Sequence, residues 1–194
     1  MVNVICPKCP NCGAPVENDV KRCEYCNSPI IITSFADSFQ LPDINKYTSA
    51  YKGALTSAPD DPNLNAAIGF CYMRLKMYSQ ARTCFQKAID GGLINADTFF
   101  YTAVCLLDGK KAFLAKRPTI DKIQELIEAA RAIEDKGIYA YFHAYIKFDY
   151  FKRKSLITSP NYVELLRKAQ RLGVSEHDIG ILFDLLRVER PSEL

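Results

Sequence analysis

The stretch Pro62 to Gly92, PNLNAAIGFCYMRLKMYSQARTCFQKAIDGG, decides the architecture. Ile68, Cys71, Tyr72 and Leu75 recur at helical spacing, and so do Ala81, Cys84, Phe85, Ala88 and Ile89. The intervening Lys76-Met-Tyr-Ser79 leaves room only for a tight turn, so the stretch predicts an antiparallel helical hairpin. Small residues at Gly69, Ala81 and Ala88 predict a close approach of its two helices. One hairpin cannot bury both its apolar faces, so neighbours of the same kind are required.

Those neighbours are visible as a period. Tyr51 and Phe85 are 34 residues apart, and so are Ala54 and Ala88. On Ile68, Gly69, Tyr72, Ala81, Phe85 and Ala88, with the half-copy Tyr47, Tyr51, Ala54 and Pro59 before them, the chain from Asn45 onwards resembles the tetratricopeptide repeat family. Asn65 stands where that family usually carries a large residue. The resemblance implies an all-α, right-handed helical-repeat solenoid, irregular beyond its clearest copy.

Further helices are expected around this copy. The first begins near Asp43 or Ile44 and ends near Ser57. Asp97–Leu107 reads as a buried helix capped by Asn95 or Asp97. Asp108–Thr119 breaks the 34-residue register, as a short extra helix or an extended loop. Thr119 is expected to cap Ile120–Lys136, with a stripe of Ile123, Leu126, Ile127, Ala130 and Ile133, and Gly137 to terminate it. Ile138–Lys152 is densely aromatic, Asn161–Leu172 follows, and Ser175 caps the last helix through its spacing to Asp178.

The first 26 residues hold five of the 8 cysteines. Cys9-x-x-Cys12 and Cys23-x-x-Cys26 are separated by ten residues, the ligand type and spacing of a structural zinc site. Gly13 and Asn27 follow the two pairs, where turns need unusual backbone angles. Cys6 forms an overlapping pair with Cys9 and is an alternate ligand or a spare thiol. On these cysteines, Gly13 and the apolar run Ile30–Ile32, the segment is similar to the zinc-ribbon family. That implies two knuckles and a small sheet around one Zn²⁺, with Ile30–Thr33 as a short strand. Four thiolates leave no open coordination position, so the metal is structural. The expected organisation is a zinc ribbon over residues 1–34, a linker over 35–43 and a helical-repeat domain over 44–194.

Composition narrows the function. The 194 residues are 48% apolar and 24% charged, with a net charge of +3 that by itself argues for neither nucleic acid nor an anionic membrane. No secretory leader or membrane span is apparent, and clustered cysteines beside unpaired ones suit a reducing, cytoplasmic setting. His143 reads as packed or hydrogen-bonded, His177 as solvated, and neither has a catalytic partner at a convincing spacing. No phosphate-cradling glycine loop is present.

The leading expectation is therefore a non-enzymatic zinc-binding adaptor or scaffold. The family resemblance implies a concave surface receiving a protein or peptide. Asn65, Arg74, Thr98, Tyr101 and Lys147 are candidate contributors on the first helices of the hairpins. The aromatic block from Tyr139 to Phe151 admits two readings: an interior helix, or a binding surface joined to Lys147, Lys152, Arg153, Lys154, Arg167, Lys168 and Arg171. The competing function is nucleic-acid binding or transcription-related regulation through Lys8, Lys21, Arg22 and the Lys152–Lys154 patch.

Overall fold

The computed structural model describes residues 6–17, 20–39, 41 and 43–194. Among these the chain is all-α and without a sheet, built of eight longer helices and one single-turn helix. It divides into two compact units, Met1–Ile94 and Asn95–Leu194.

The first unit holds the cysteine segment, a helical turn α1 (Phe35–Phe39), then α2 (Ile44–Ser57), α3 (Pro62–Arg74) and α4 (Tyr78–Asp90). Each start has a local cause. Asp43 caps α2 through the Asn45 N–H at 2.9 Å. Asp61 caps α3 through Leu64 N–H at 2.8 Å, with Pro62 in the first turn. The helices α3 and α4 form the expected hairpin and pack through Gly69, where an added Cβ would stand 2.5 Å from the Phe85 ring. Phe85 also meets Phe70 edge to face at 5.1 Å. Tyr51, Phe85 and Ala88, members of the 34-residue step, are all buried, while Ala54 is half-buried. The segment before α2 is tied down by the Arg74 guanidinium, which donates to the carbonyls of Ser38 and Leu41.

The second unit contains α5 (Ala96–Cys105), a 3₁₀ turn at Ala112–Leu114, α6 (Arg117–Ile133), α7 (Gly137–Ile146), α8 (Tyr162–Arg171) and α9 (Glu176–Leu186). α5 packs on α6, α6 on α7, and α7 on both α8 and α9, a pairwise arrangement like that of tetratricopeptide repeats. Asn95 caps α5 at Thr98 N–H, 2.9 Å, and Ser175 caps α9 at Asp178 N–H, 3.1 Å. α7 is the centre of this unit. Every residue from Tyr139 to Phe151 is buried, the last five in a π-helical turn. Phe142 meets Phe100 edge to face at 5.6 Å and stacks with Tyr145 at 6.2 Å. Asp97 receives hydrogen bonds from Lys136 Nζ at 3.0 Å and from the Tyr139 hydroxyl.

Several local expectations are corrected. Ile30–Thr33 forms no strand; the Tyr51 hydroxyl, and not a neighbouring strand, satisfies its backbone by donating to Ile30 O at 2.9 Å and accepting from Ile32 N–H at 3.2 Å. α6 starts at Arg117 with Pro118 in its first turn, two residues before Thr119. Gly137 opens α7 instead of closing α6, because a Cβ there would meet Val174 N at 2.7 Å. Ile133, at the end of the α6 stripe, is exposed, whereas Ile120 lies in the core.

Candidate metal centre and partner-facing side chains

Two turns of the same design carry the cysteines. In the first, Cys9 N–H donates to Ala14 O at 2.8 Å and Gly13 N–H to Cys9 O at 2.9 Å. In the second, Cys23 N–H donates to Ser28 O at 2.9 Å and Asn27 N–H to Cys23 O at 2.8 Å. Gly13 and Asn27 both take positive φ, 78° and 54°, which curls each turn back on its first cysteine. Antiparallel bridges Lys8–Pro15 and Arg22–Pro29 close the two turns equivalently. The resulting match of Cys9, Cys12, Gly13, Ala14 and Pro15 with Cys23, Cys26, Asn27, Ser28 and Pro29 is a 14-residue internal repeat.

The turns aim four thiols at one point. The Sγ atoms of Cys9, Cys12, Cys23 and Cys26 all lie within 4.8 Å of one another. The Cys9–Cys26 and Cys12–Cys23 pairs are each 3.6 Å apart. A tetrahedral zinc with Zn–S bonds of about 2.3 Å would set sulfur–sulfur separations of about 3.8 Å. The donor set and its spacing therefore fit a thiolate-bound metal ion. Burial pushes the Cys9 thiol up to about 12, whereas the hydroxyl and backbone N–H of Ser28 bring Cys26 down to about 6. The sequence reading missed the residues that orient the sulfurs. Asn11 Nδ2 reaches Cys26 Sγ at 3.7 Å and Ser28 Oγ at 3.0 Å. The 14-residue repeat is the signal that places Ser28 beside its cysteine pair.

Cys6 is not among the four clustered thiols, an arrangement consistent with the spare thiol of its two readings. It is buried, and burial with the nearby Asp61 charge pushes its thiol up to about 11. Two tyrosines of α2 hold the far side of the segment: Tyr47 Oη donates to Pro29 O at 3.1 Å, beside the Tyr51 bonds described above. Arg22 spends a guanidinium hydrogen on Asn27 O at 2.9 Å, bracing the second turn.

The side chains expected to face a partner divide sharply. Asn65 is buried and donates to Pro59 O at 3.0 Å and Asp61 O at 2.8 Å. Thr98 is buried against its Asn95 cap. Lys147 is also buried, donating to Thr158 Oγ1 at 2.8 Å over the Phe151 ring, and burial lowers its ammonium pKa. These three lie inside the fold, so they do not contribute to a displayed surface. Arg74 is half-buried on the α1 carbonyls, and Tyr101 is half-buried against Phe100. Arg153 binds Asp149 at 2.7 Å and Lys168 binds Asp135 at 2.6 Å. Lys152, Arg167 and Arg171 are exposed, and Lys154 is half-buried over Tyr150. Arg167 and Arg171, with Glu164 and Gln170, share one open face of α8.

His143 is a buried titratable group at the centre of the second unit. Neither ring nitrogen has a hydrogen-bond partner among the described residues. Burial, helped by the charges of Lys147 and Arg131, pulls its pKa down to about 3. It is packed, not hydrogen-bonded, while His177 is exposed.

No protein-family model and no curated protein matches the chain. A solved structure does. The chain is similar to MamA MSR-1 C2, with 15% identity over 71% of this chain and 72% of that one, at a TM-score of 0.52. That likeness shows a helical-repeat fold and carries nothing further.

Proposed function

We propose that the chain is a non-enzymatic adaptor. One structural zinc, held by Cys9, Cys12, Cys23 and Cys26, fixes an N-terminal module over residues 1–34. A connecting segment, 35–43, leads to a tetratricopeptide-like domain, 44–194, built as an irregular right-handed solenoid that receives a protein or peptide. The observation that carries this reading is the conjunction of a closed four-thiol cluster with pairwise-packed helices. The cluster supplies coordination without an open site for chemistry. The helices supply surface, and the exposed Arg167 and Arg171 on α8 suit an acidic partner segment. Four cysteines gathered as metal ligands and four others outside any disulfide suit a cytoplasmic location.

The test is an affinity pulldown of the full chain with mass spectrometry, run beside Arg167→Glu with Arg171→Glu and beside joint Ser replacement of the four cysteines. Loss of specific partners in the arginine variant supports the adaptor surface on α8. Unchanged partners in that variant move the surface elsewhere, and recovery of no specific partner by the intact chain sinks the adaptor reading.

A further inference from the structure

The net charge of +3 hides a local segregation. Segments 108–117 and 147–154 together hold eight Lys or Arg against two Asp. One of those carboxylates, Asp149, is buried and is taken up by Arg153 and by Phe113 N–H at 2.8 Å. These contacts join the two segments at one corner of the second unit. Arg153 and Lys154 both lie 5.0 Å from the Phe113 ring centroid.

The same corner displays aliphatic side chains. Leu114 is 69% exposed and Ile157 is 102% exposed, with Phe113 and Leu156 beside them at 36% and 43%. Single exposed apolar residues need no explanation, but two loops that each present a pair do, and Lys154, which lies over the Phe113 ring, leads directly into the second loop. The second loop is held in place. Ser155 takes a left-handed turn with φ 57°, Leu156 N–H donates to Phe151 O at 2.9 Å, and Lys147 pins Thr158 at 2.8 Å.

We propose that the Phe113–Leu114 and Leu156–Ile157 loops dock the chain peripherally on an anionic lipid bilayer. The aliphatic tips enter the headgroup layer, and Lys111, Lys116, Lys152 and Lys154 meet lipid phosphates. Charge complementarity selects an anionic occupant, and the form of the apolar groups selects a bilayer. Ile157 is fully exposed, and with Leu156 it borders a wide open hollow that also holds Lys147, Lys152 and Tyr162, a shape that a deformable apolar medium can follow. Flexible lysines beside such tips keep their charge at the interface while their stems lie along apolar material. Single-stranded nucleic acid would require open aromatic faces, and the Phe113 ring is already covered by two cations. No helix among the described residues is long and apolar enough to cross a membrane, and this mode of binding needs none.

The absence of tryptophan gives a clean test. In the full metal-loaded chain, Ile157→Trp places one fluorophore at the tip, and Tyr25→Trp places one on the exposed second knuckle as a control. The expected result is a blue shift in the emission of the Ile157→Trp variant with phosphatidylglycerol-rich vesicles, reversed by salt, with no shift on phosphatidylcholine vesicles or in the control. Co-sedimentation should show Leu114→Ser with Ile157→Ser binding at least about tenfold more weakly, the loss expected from two buried aliphatic side chains. Lys116→Glu with Lys152→Glu should abolish the salt-sensitive part. The proposal is overturned by no partition to anionic vesicles at low salt, or by partition that the Leu114 and Ile157 substitutions leave unchanged. It is equally overturned if an acidic peptide or an RNA oligonucleotide binds the corner in a Leu114- and Ile157-dependent way while vesicles do not.

Discussion

The cysteine segment of the first unit and the aromatic helix of the second solve the same problem with opposite means. Residues 6–34 contain few large apolar side chains, and their order rests on backbone turns that bring four thiols together. Residues 139–151 contain seven aromatic side chains, all buried, and need no external ligand to hold them. The contrast shows what each region must lose to fail. With the proposed metal bound, the first depends on coordination chemistry; the second depends on apolar volume.

The largest effect should follow removal of the metal. Structural zinc sites contribute roughly 10 kcal/mol or more of apparent folding free energy in modules too small to fold alone. Replacing Cys9, Cys12, Cys23 and Cys26 jointly by Ser should abolish bound zinc by elemental analysis. It should also open residues 6–34 to limited proteolysis. A segment that stays protected without metal would place it in the same class as α7, held by apolar contacts.

Next in size is Phe142→Ala. This side chain is wholly buried between Phe100 and Tyr145. Truncating a buried Phe costs about 3–5 kcal/mol through lost transfer energy and the cavity left behind. Urea unfolding followed by near-ultraviolet dichroism of the tyrosines should register it, with the bound zinc of the folded protein unchanged. Loss of zinc at the same urea concentration would erase the contrast between the two regions.

The third effect depends on pH. His143 carries a folded-state pKa near 3, against about 6.5 when unfolded. Between those values the unfolded chain binds the extra proton, so stability is full above about pH 6.5 and falls as the pH drops toward 3. The slope is at most about 1.4 kcal/mol per pH unit. His143→Leu should flatten the profile across that window and raise stability at neutral pH, because it removes two buried nitrogens that have no partner among the described residues. An unchanged acid profile in the variant would assign the acid sensitivity to other groups.

The features legible in the sequence were those with one physical meaning. Gly69 opposite Phe85 fits only a close helical crossing, and Ser175 precedes an apolar helical run as its cap. The features that misled have two meanings. Asn65 and Thr98 look like surface polar residues, yet their hydrogen bonds are spent on helix starts. Lys147 belongs by sequence with Lys152 and Arg153, but the π-helical turn rotates it inward onto Thr158 and Phe151. Gly137 suits either a helix end or a close approach, and only the position of Val174 decides. Cys6 and Cys12 stand at equal spacing from Cys9, and there the sequence did not mislead: Gly13 after Cys12 favours the second pair, and the turn bonds of Gly13 and Ala14 form on that side. No local pattern shows that Phe113 and Arg153 meet, so the charged corner emerged only in three dimensions.

The smallest predicted effect probes where the two means of stabilisation touch. Tyr51 is fully buried in α2, yet its hydroxyl serves the backbone just after the second knuckle, giving to Ile30 O and taking from Ile32 N–H. Tyr51→Phe keeps the ring and its edge contact with Tyr47 at 6.0 Å, so the apolar core is preserved. It leaves one donor and one acceptor of the chain unsatisfied, at a cost of about 1–3 kcal/mol. Because the loss falls on residues 30–32 and not on the helix, it should surface as faster zinc transfer to a chelator, with little change in helical melting. Tyr47→Phe, which removes only a bond to Pro29 O, should do the same more weakly. If either substitution lowers helical stability while leaving zinc release unchanged, α2 uses the hydroxyls for its own core, and the knuckles stand on their turns and their metal alone.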